Sequence, residues 1–257
     1  MKLQLSIKLD NPSGLPITFS DDYHASIMSL IKNLMKGVDM DAYRNMYLSN
    51  TPKLFTWSLS FPRGTKHDKD TGMFTMPMGK NIMTLLFSFY REEDYMLFSS
   101  MFSDTSLASN LIHNPTLFGY DYSIHRIKVV QKDALYPMVV VKTVSNAMFL
   151  NMKKKDKDNP YSYLTKFSLE DYRESLINKL KYAGLDDMIP SANTLAVVPS
   201  KEVLRWPSLY GSHLPAISGY FALVGDKQLV NFIVSSGLGA ETGSGFGSLQ
   251  VVTVKNG

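Results

Sequence analysis

Apolar residues along this chain switch between period two and helical spacing in one fixed order, strand, helix, two strands, helix, strand, and that order occurs twice. Leu3, Leu5, Ile7 and Leu9 alternate with polar neighbours, as one face of a half-buried strand requires. Ser20, Asp21 and Asp22 suit a helix N-terminus, and Ile27, Leu30, Ile31, Leu34 and Val38 follow at helical spacing. Leu54 to Phe61 and Ile82 to Tyr90 are strand-like runs on either side of a turn-rich stretch, Pro62 to Gly72. Tyr95, Phe98 and Phe102 mark a second helix, and Ile124, Arg126, Lys128 and Val130 alternate along a closing strand. The second round begins with a strand over Pro137 to Val144, then a helix opened by a capping-box-like Ser168 to Asp171 and ended by Gly184. Strands over Thr194 to Leu204 and Ile217 to Val224, a short helix from Asp226 to Val234 and a last strand over Ser248 to Val254 complete it. This order predicts an α+β chain of two tandem ferredoxin-like (RRM-like, βαββαβ) domains, residues 1–133 and 137–257.

A chain of 257 residues, 44% hydrophobic and 19% charged, can bury a core in each half. Its 27 Lys and Arg against 23 Asp and Glu leave +4, which is compatible with a polyanionic partner without demanding one. The absence of cysteine excludes disulfides and thiolate metal sites, and the five histidines show no paired metal spacing, so metal catalysis is disfavoured. The alternating N-terminus lacks the apolar core of a signal peptide, and no later run reaches membrane-spanning length, which predicts a cytoplasmic protein without membrane contact.

Five glycines fall within the eleven positions Gly237 to Gly247, between a predicted helix and the last predicted strand. Glycine lets a backbone come close to a ligand, so Gly237, Gly239, Gly243, Gly245 and Gly247 could offer N–H groups to phosphate, with Thr242 and Ser244 adding hydroxyls. A plain flexible loop is the other reading of the glycine count. A dinucleotide or Walker loop is excluded, because each follows a strand and opens a helix, and here the order is reversed.

Gly237, Gly239, Gly245, Phe246 and Gly247, placed before a final strand, resemble the C-terminal motif of the CRISPR repeat-associated RAMP proteins. Thr51-Pro52-Lys53-Leu54-Phe55-Thr56-Trp57 resembles the Pro-Lys strand of that superfamily's repeat-specific endoribonuclease branch. The resemblance implies CRISPR repeat RNA as partner, both precursor and mature guide, with association to an effector complex and a monomeric or homodimeric state. It implies a metal-independent cut that leaves a 2′,3′-cyclic phosphate and a 5′-hydroxyl, with no cofactor.

Relatives commonly carry a catalytic histidine between the first helix and the Pro-Lys strand, and this sequence has none there; alignment on Pro52 and Lys53 brings Tyr47 near that place. The catalytic residues implied are Lys53, for charge on the phosphorane, Tyr47, as a donor or orienting group, and His24, at the edge of the first helix's apolar face. Lys32, on the opposite side of that helix, is left out. Arg126 and Lys128, beside His125, are expected to meet phosphates, whereas Trp57 and Trp206 are assigned to packing. The run from Lys153 to Asp158 reads as a charged surface turn. Two other readings stay open: a repeat-RNA-binding module without catalysis, and a backbone subunit of a CRISPR effector.

Overall fold

Leu3, Leu5, Ile7 and Leu9 are fully buried in the computed structural model, which describes residues 1–49, 51–103, 116–130, 136–154 and 162–255. The strand that carries them, β1 (Lys2–Asp10), is followed by β2 (Thr18–Ser20), α1 (Tyr23–Val38), α2 (Met40–Tyr43) and a π-helical turn over Arg44–Leu48. Next come β3 (Phe55–Ser60), β4 (Lys66–Asp68), β5 (Met73–Thr75), β6 (Ile82–Phe89), α3 (Glu92–Ser103), β7 (Thr116–Leu117) and β8 (Tyr120–Val130). The second half contains β9 (Met138–Thr143), α4 (Leu169–Tyr182), α5 (Ile189–Thr194), β10 (Ala196–Arg205) and the short pair β11 (Ser208–Leu209) and β12 (Ser212–His213). It closes with β13 (Ala216–Val224), α6 (Lys227–Ser236) and β14 (Leu249–Lys255).

The first sheet has the order β3-β6-β1-β8-β7 and the second β10-β13-β9-β14. In both, the first strand of the half pairs antiparallel with the third and fourth strands, which is the ferredoxin-like arrangement; two such domains stand in tandem. Helices cover one face of each sheet. α1 and α3 bury Ile27, Ile31, Leu34, Phe98 and Phe102 against β1, β3 and β6, and α4 and α6 bury Leu176, Leu180, Leu229 and Ile233 against Val139, Val141, Phe221 and Leu223. Ser168 caps α4, accepting from the Asp171 amide, as its sequence announces. No helix among the described residues is long and apolar enough to cross a membrane.

The turn-rich stretch after β3 is more regular than its composition suggests. β4 and β5 join β2 in a separate three-stranded sheet. Phe74 from it stacks beside Phe19, Phe61 and His67. Leu54, just before β3, leaves the first core and joins the second, and Tyr90, just after β6, meets Phe232 of α6 edge-on at 4.8 Å. Of the charged run from Lys153, the residues beyond Lys154 lie outside the described residues, as does His113; Lys153 itself is exposed and bonds Glu170 at 2.7 Å.

Candidate functional site

After α6 the chain turns at Gly237 and crosses the start of β3, so that the glycine-rich segment becomes the seam between the two halves. Trp57 Nε1 donates to the Gly243 carbonyl at 2.9 Å, Thr56 Oγ1 to the Phe246 carbonyl at 2.9 Å, and Thr242 Oγ1 to the Lys53 carbonyl at 3.4 Å. The fit leaves no room for a side chain. A Cβ on Gly245 would lie 2.5 Å from the Trp57 ring, one on Gly243 2.6 Å from Lys53 Cγ, and one on Gly237 2.9 Å from Thr56 Cβ. Gly239 and Gly247 press on carbonyls of their own half, Met148 and Leu238.

This packing revises the mechanism expected for the loop. The amides of Gly237, Gly245 and Gly247 donate to the carbonyls of Ile233, Thr242 and Asn146, and those of Leu238, Ala240, Ser244 and Phe246 are likewise bonded within the protein. These N–H groups face inward and are not presented to phosphate. The close approach that demands glycine is to the chain's own backbone and rings. Thr242 is buried, and the Ser244 hydroxyl donates to Glu241 at 3.1 Å.

His24 is part of the same seam. It is 3% exposed, stacks on Phe246 with centroids 4.3 Å apart, and bonds the Ser244 carbonyl through Nδ1 at 2.8 Å. Burial pulls its pKa down to about 4, against the smaller opposing effects of that carbonyl and of Asp22, so it is neutral at physiological pH. Asp22 makes a second tie, accepting the amides of Tyr210 and Gly211 at 3.0 and 2.8 Å from the turn between β11 and β12.

Beside the seam lies a compact group of titratable side chains. The π-helical turn folds back along α1 and brings the Tyr47 ring close to two ammoniums, with Lys32 Nζ 5.3 Å and Lys53 Nζ 5.5 Å from its centroid. The Tyr47 hydroxyl is buried without a hydrogen-bond partner among the described residues, and burial raises its pKa above the ordinary phenol value. Lys53 Nζ donates to the Thr51 carbonyl at 2.8 Å. Burial lowers its pKa, Glu241 partly opposes this, and Lys32 adds to it. Two close cations with one unspent hydroxyl suit an anionic ligand. Lys32 was not expected here, because helical periodicity directs it away from the core of α1; what it meets instead is the folded-back turn.

Lys179 of α4 was also missed, for want of any motif around it. It donates to the Ser236 carbonyl at 3.2 Å and to Thr242 Oγ1 at 3.4 Å from beneath the glycine segment, and burial lowers its pKa to about 7.

Arg126 and Lys128 are exposed on β8. Their partners across the ladder are Ser6 and Gln4 of β1, and all four occupy the face of the sheet opposite α1 and α3. A register shift between Ser6 and Ile7 leaves His125 as the bulged residue. Of the two tryptophans, Trp57 is fully buried, but Trp206 is 54% exposed, which overturns its assignment to packing.

Two ferredoxin-like domains in tandem are also the fold of solved Cas6 and RAMP structures. The likeness extends over whole chains. A Cas6-related protein from Pyrococcus furiosus superposes with TM-score 0.78 at 15% identity, covering 99% of each chain. A structure described as "An RAMP protein binding different RNA substrates" gives 0.76 at 16% identity, covering 98% of this chain and 100% of the other, and a Cas6 product complex gives 0.67 at 12%, covering 98% and 99%. Residues 130–251 match the family model described as "CRISPR associated protein Cas6, C-terminal". That match lies in the second half of the chain, and the structural likeness to Cas6 and RAMP proteins gives the fold of the whole. No curated protein matches its sequence.

Proposed function

We propose that this protein binds CRISPR repeat RNA and cuts the precursor transcript within each repeat, without a metal, to give guide RNAs with 2′,3′-cyclic phosphate and 5′-hydroxyl ends. The observation that carries this reading is the gathering of the Lys32 and Lys53 ammoniums at the Tyr47 ring, beside the glycine seam. In such a cut a ribose 2′-hydroxyl loses its proton and attacks the adjacent phosphorus, and the bond to O5′ breaks as that oxygen gains a proton. Charge builds on the phosphorane oxygens, where Lys32 and Lys53 supply compensation. Tyr47, protonated at neutral pH, holds its ring against both ammoniums, and its hydroxyl must leave its buried position to donate to the phosphate or the leaving oxygen. Arg126 and Lys128 hold the backbone of the RNA away from the scissile bond. The glycines and Thr242 act on RNA through the position they give Lys53, and His24 acts through the seam. The two domains span residues 1–133 and 137–257, cytoplasmic RNA is the natural substrate pool, and the cut product passes to an effector complex.

His24 favours a second reading. His24 is neutral, buried and stacked, so it is not poised to exchange a proton, and capture of repeat RNA without efficient cleavage follows if the lysines and Tyr47 do not suffice. End-labelled repeat RNA incubated with the protein in EDTA separates the two. Products with 2′,3′-cyclic ends support the enzyme, and RNA that is bound but intact after hours leaves the binding module.

A further inference from the structure

The face of the second sheet turned away from α4 and α6 has a composition that the seam and the lysine pair do not use. One row crosses all four strands there: Ser200 of β10, Tyr220 of β13, Lys142 of β9 and Gln250 of β14 are successive cross-strand partners. The next row is Val198, Ala222, Val140 and Thr253. Neither row contains a carboxylate. No described helix covers them, and Val198 stands 58% exposed.

The ring of Tyr220 lies between two cations, with Lys142 Nζ 5.9 Å and Lys201 Nζ 5.8 Å from its centroid. Lys201 reaches it from a bulge, where the pairing of β10 with β13 slips between Ser200 and Val203. Its backbone is left-handed, φ 53°, and the bulge closes over Gly219, where a Cβ would lie 3.0 Å from the Lys201 carbonyl. A non-glycine residue held in that conformation costs energy that a plain strand would not, and here the strain aims a cation at an aromatic ring. Glu202, exposed in the same bulge, is the one acidic neighbour in sequence.

We propose that this face, centred on Tyr220, is a second RNA-contact surface that binds unpaired nucleotides, with a base stacked on the Tyr220 ring and phosphates drawn to Lys142 and Lys201. The inference rests on the reading of the protein as an RNA binder and assigns it a separate subsite for single strand. An aromatic platform with two cations near it, on two strand rows free of acids, is the chemistry that recognises a single-stranded nucleic acid. A folded protein partner would use the apolar row and have little use for paired lysines around one ring.

The test uses the full chain with two labelled probes, a repeat hairpin without flanking nucleotides and an unstructured oligouridylate of about ten nucleotides. Tyr220→Leu should weaken oligouridylate binding about tenfold and leave hairpin binding unchanged, whereas Tyr220→Phe should retain both. Lys142→Gln should give a smaller loss that vanishes at high salt. Oligouridylate carrying 4-thiouridine should photocrosslink to the peptide that contains Tyr220. Wild-type protein that binds the hairpin but not the oligouridylate, or oligouridylate binding unaffected by Tyr220→Leu, overturns the subsite while sparing the broader reading. Failure of wild type to bind either probe overturns both. A change in sedimentation with Tyr220→Leu, without a change in RNA binding, makes the face a protein contact and overturns the proposal. Melting temperature and circular dichroism of each variant guard against misfolding, and Tyr220→Phe keeps the packing of the ring.

Discussion

Gly245 lies against the indole of Trp57 so closely that an added Cβ would fall 2.5 Å from the ring, and it does so with a left-handed backbone, φ 91°. Trp57 is at the same time the donor to Gly243, so ring and loop fix each other. Gly245→Ala must displace one of them. A loss of about 1–3 kcal/mol in stability is expected, with earlier proteolysis at the seam. Denaturant unfolding and limited proteolysis would measure it, and an unchanged midpoint would refute the tight fit. Gly243→Ala meets the flexible stem of Lys53 instead, and should cost less stability and more RNA cleavage.

Lys53→Ala and Lys32→Ala should each slow cleavage by about 100-fold, with binding changed several-fold at most. Equal losses in rate and binding would make both residues backbone contacts. The pair should also be non-additive, since each lysine acts on the charge of the other.

The cationic form of Lys53 is lost at a lower pH than that of a free lysine, because its pKa is lowered. Cleavage should therefore decline on the alkaline side before the ordinary lysine range is reached. Glu241 holds that pKa up, so Glu241→Gln should move the decline to still lower pH. A pH–rate profile of the two proteins at saturating RNA decides it; a shift to higher pH would contradict the electrostatics.

His24 has a folded-state pKa near 4, below its ordinary value of 6.5, so the folded protein binds fewer protons than the unfolded chain between those limits. Stability should fall as pH drops from 6.5 to 4, by on the order of 3 kcal/mol from this group when the loss is complete. His24→Phe keeps a ring against Phe246 and cannot be protonated. Its unfolding midpoint should be flatter over the same window, and an equal acid sensitivity would place the titration elsewhere.

Asp22→Ala strands the amides of Tyr210 and Gly211. It should cost about 1 kcal/mol, and hydrogen exchange at those two amides should quicken ahead of global unfolding.

Much of the fold was legible because it rests on local periodicity. β1 follows from four alternating apolar residues, α4 from its Ser168 cap, and both sheets fall into the strand order that the chain announces. Lys53 could be singled out as a candidate because the Pro-Lys strand is a contiguous motif. The three-stranded sheet of β2, β4 and β5 was missed, since three-residue strands in a turn-rich stretch carry too little pattern. Lys32 was set aside by a helical-wheel argument that is sound for the core of α1 but blind to what folds over its other side. The glycines illustrate a different limit. A sequence shows that backbone must come close to something, and a ligand and the chain's own Trp57 make the same demand.

The seat of Lys53 is made by residues almost two hundred positions further along, since its carbonyl is bonded by Thr242 and its stem is packed by Gly243. During synthesis on the ribosome, the first domain can form its sheet while that seat still lacks its lid. A nascent chain halted before Gly243 would present Lys53 without the packing that holds its stem. The seat of Lys53 is thus completed only when the second domain is nearly whole, so the site proposed above cannot precede the fold.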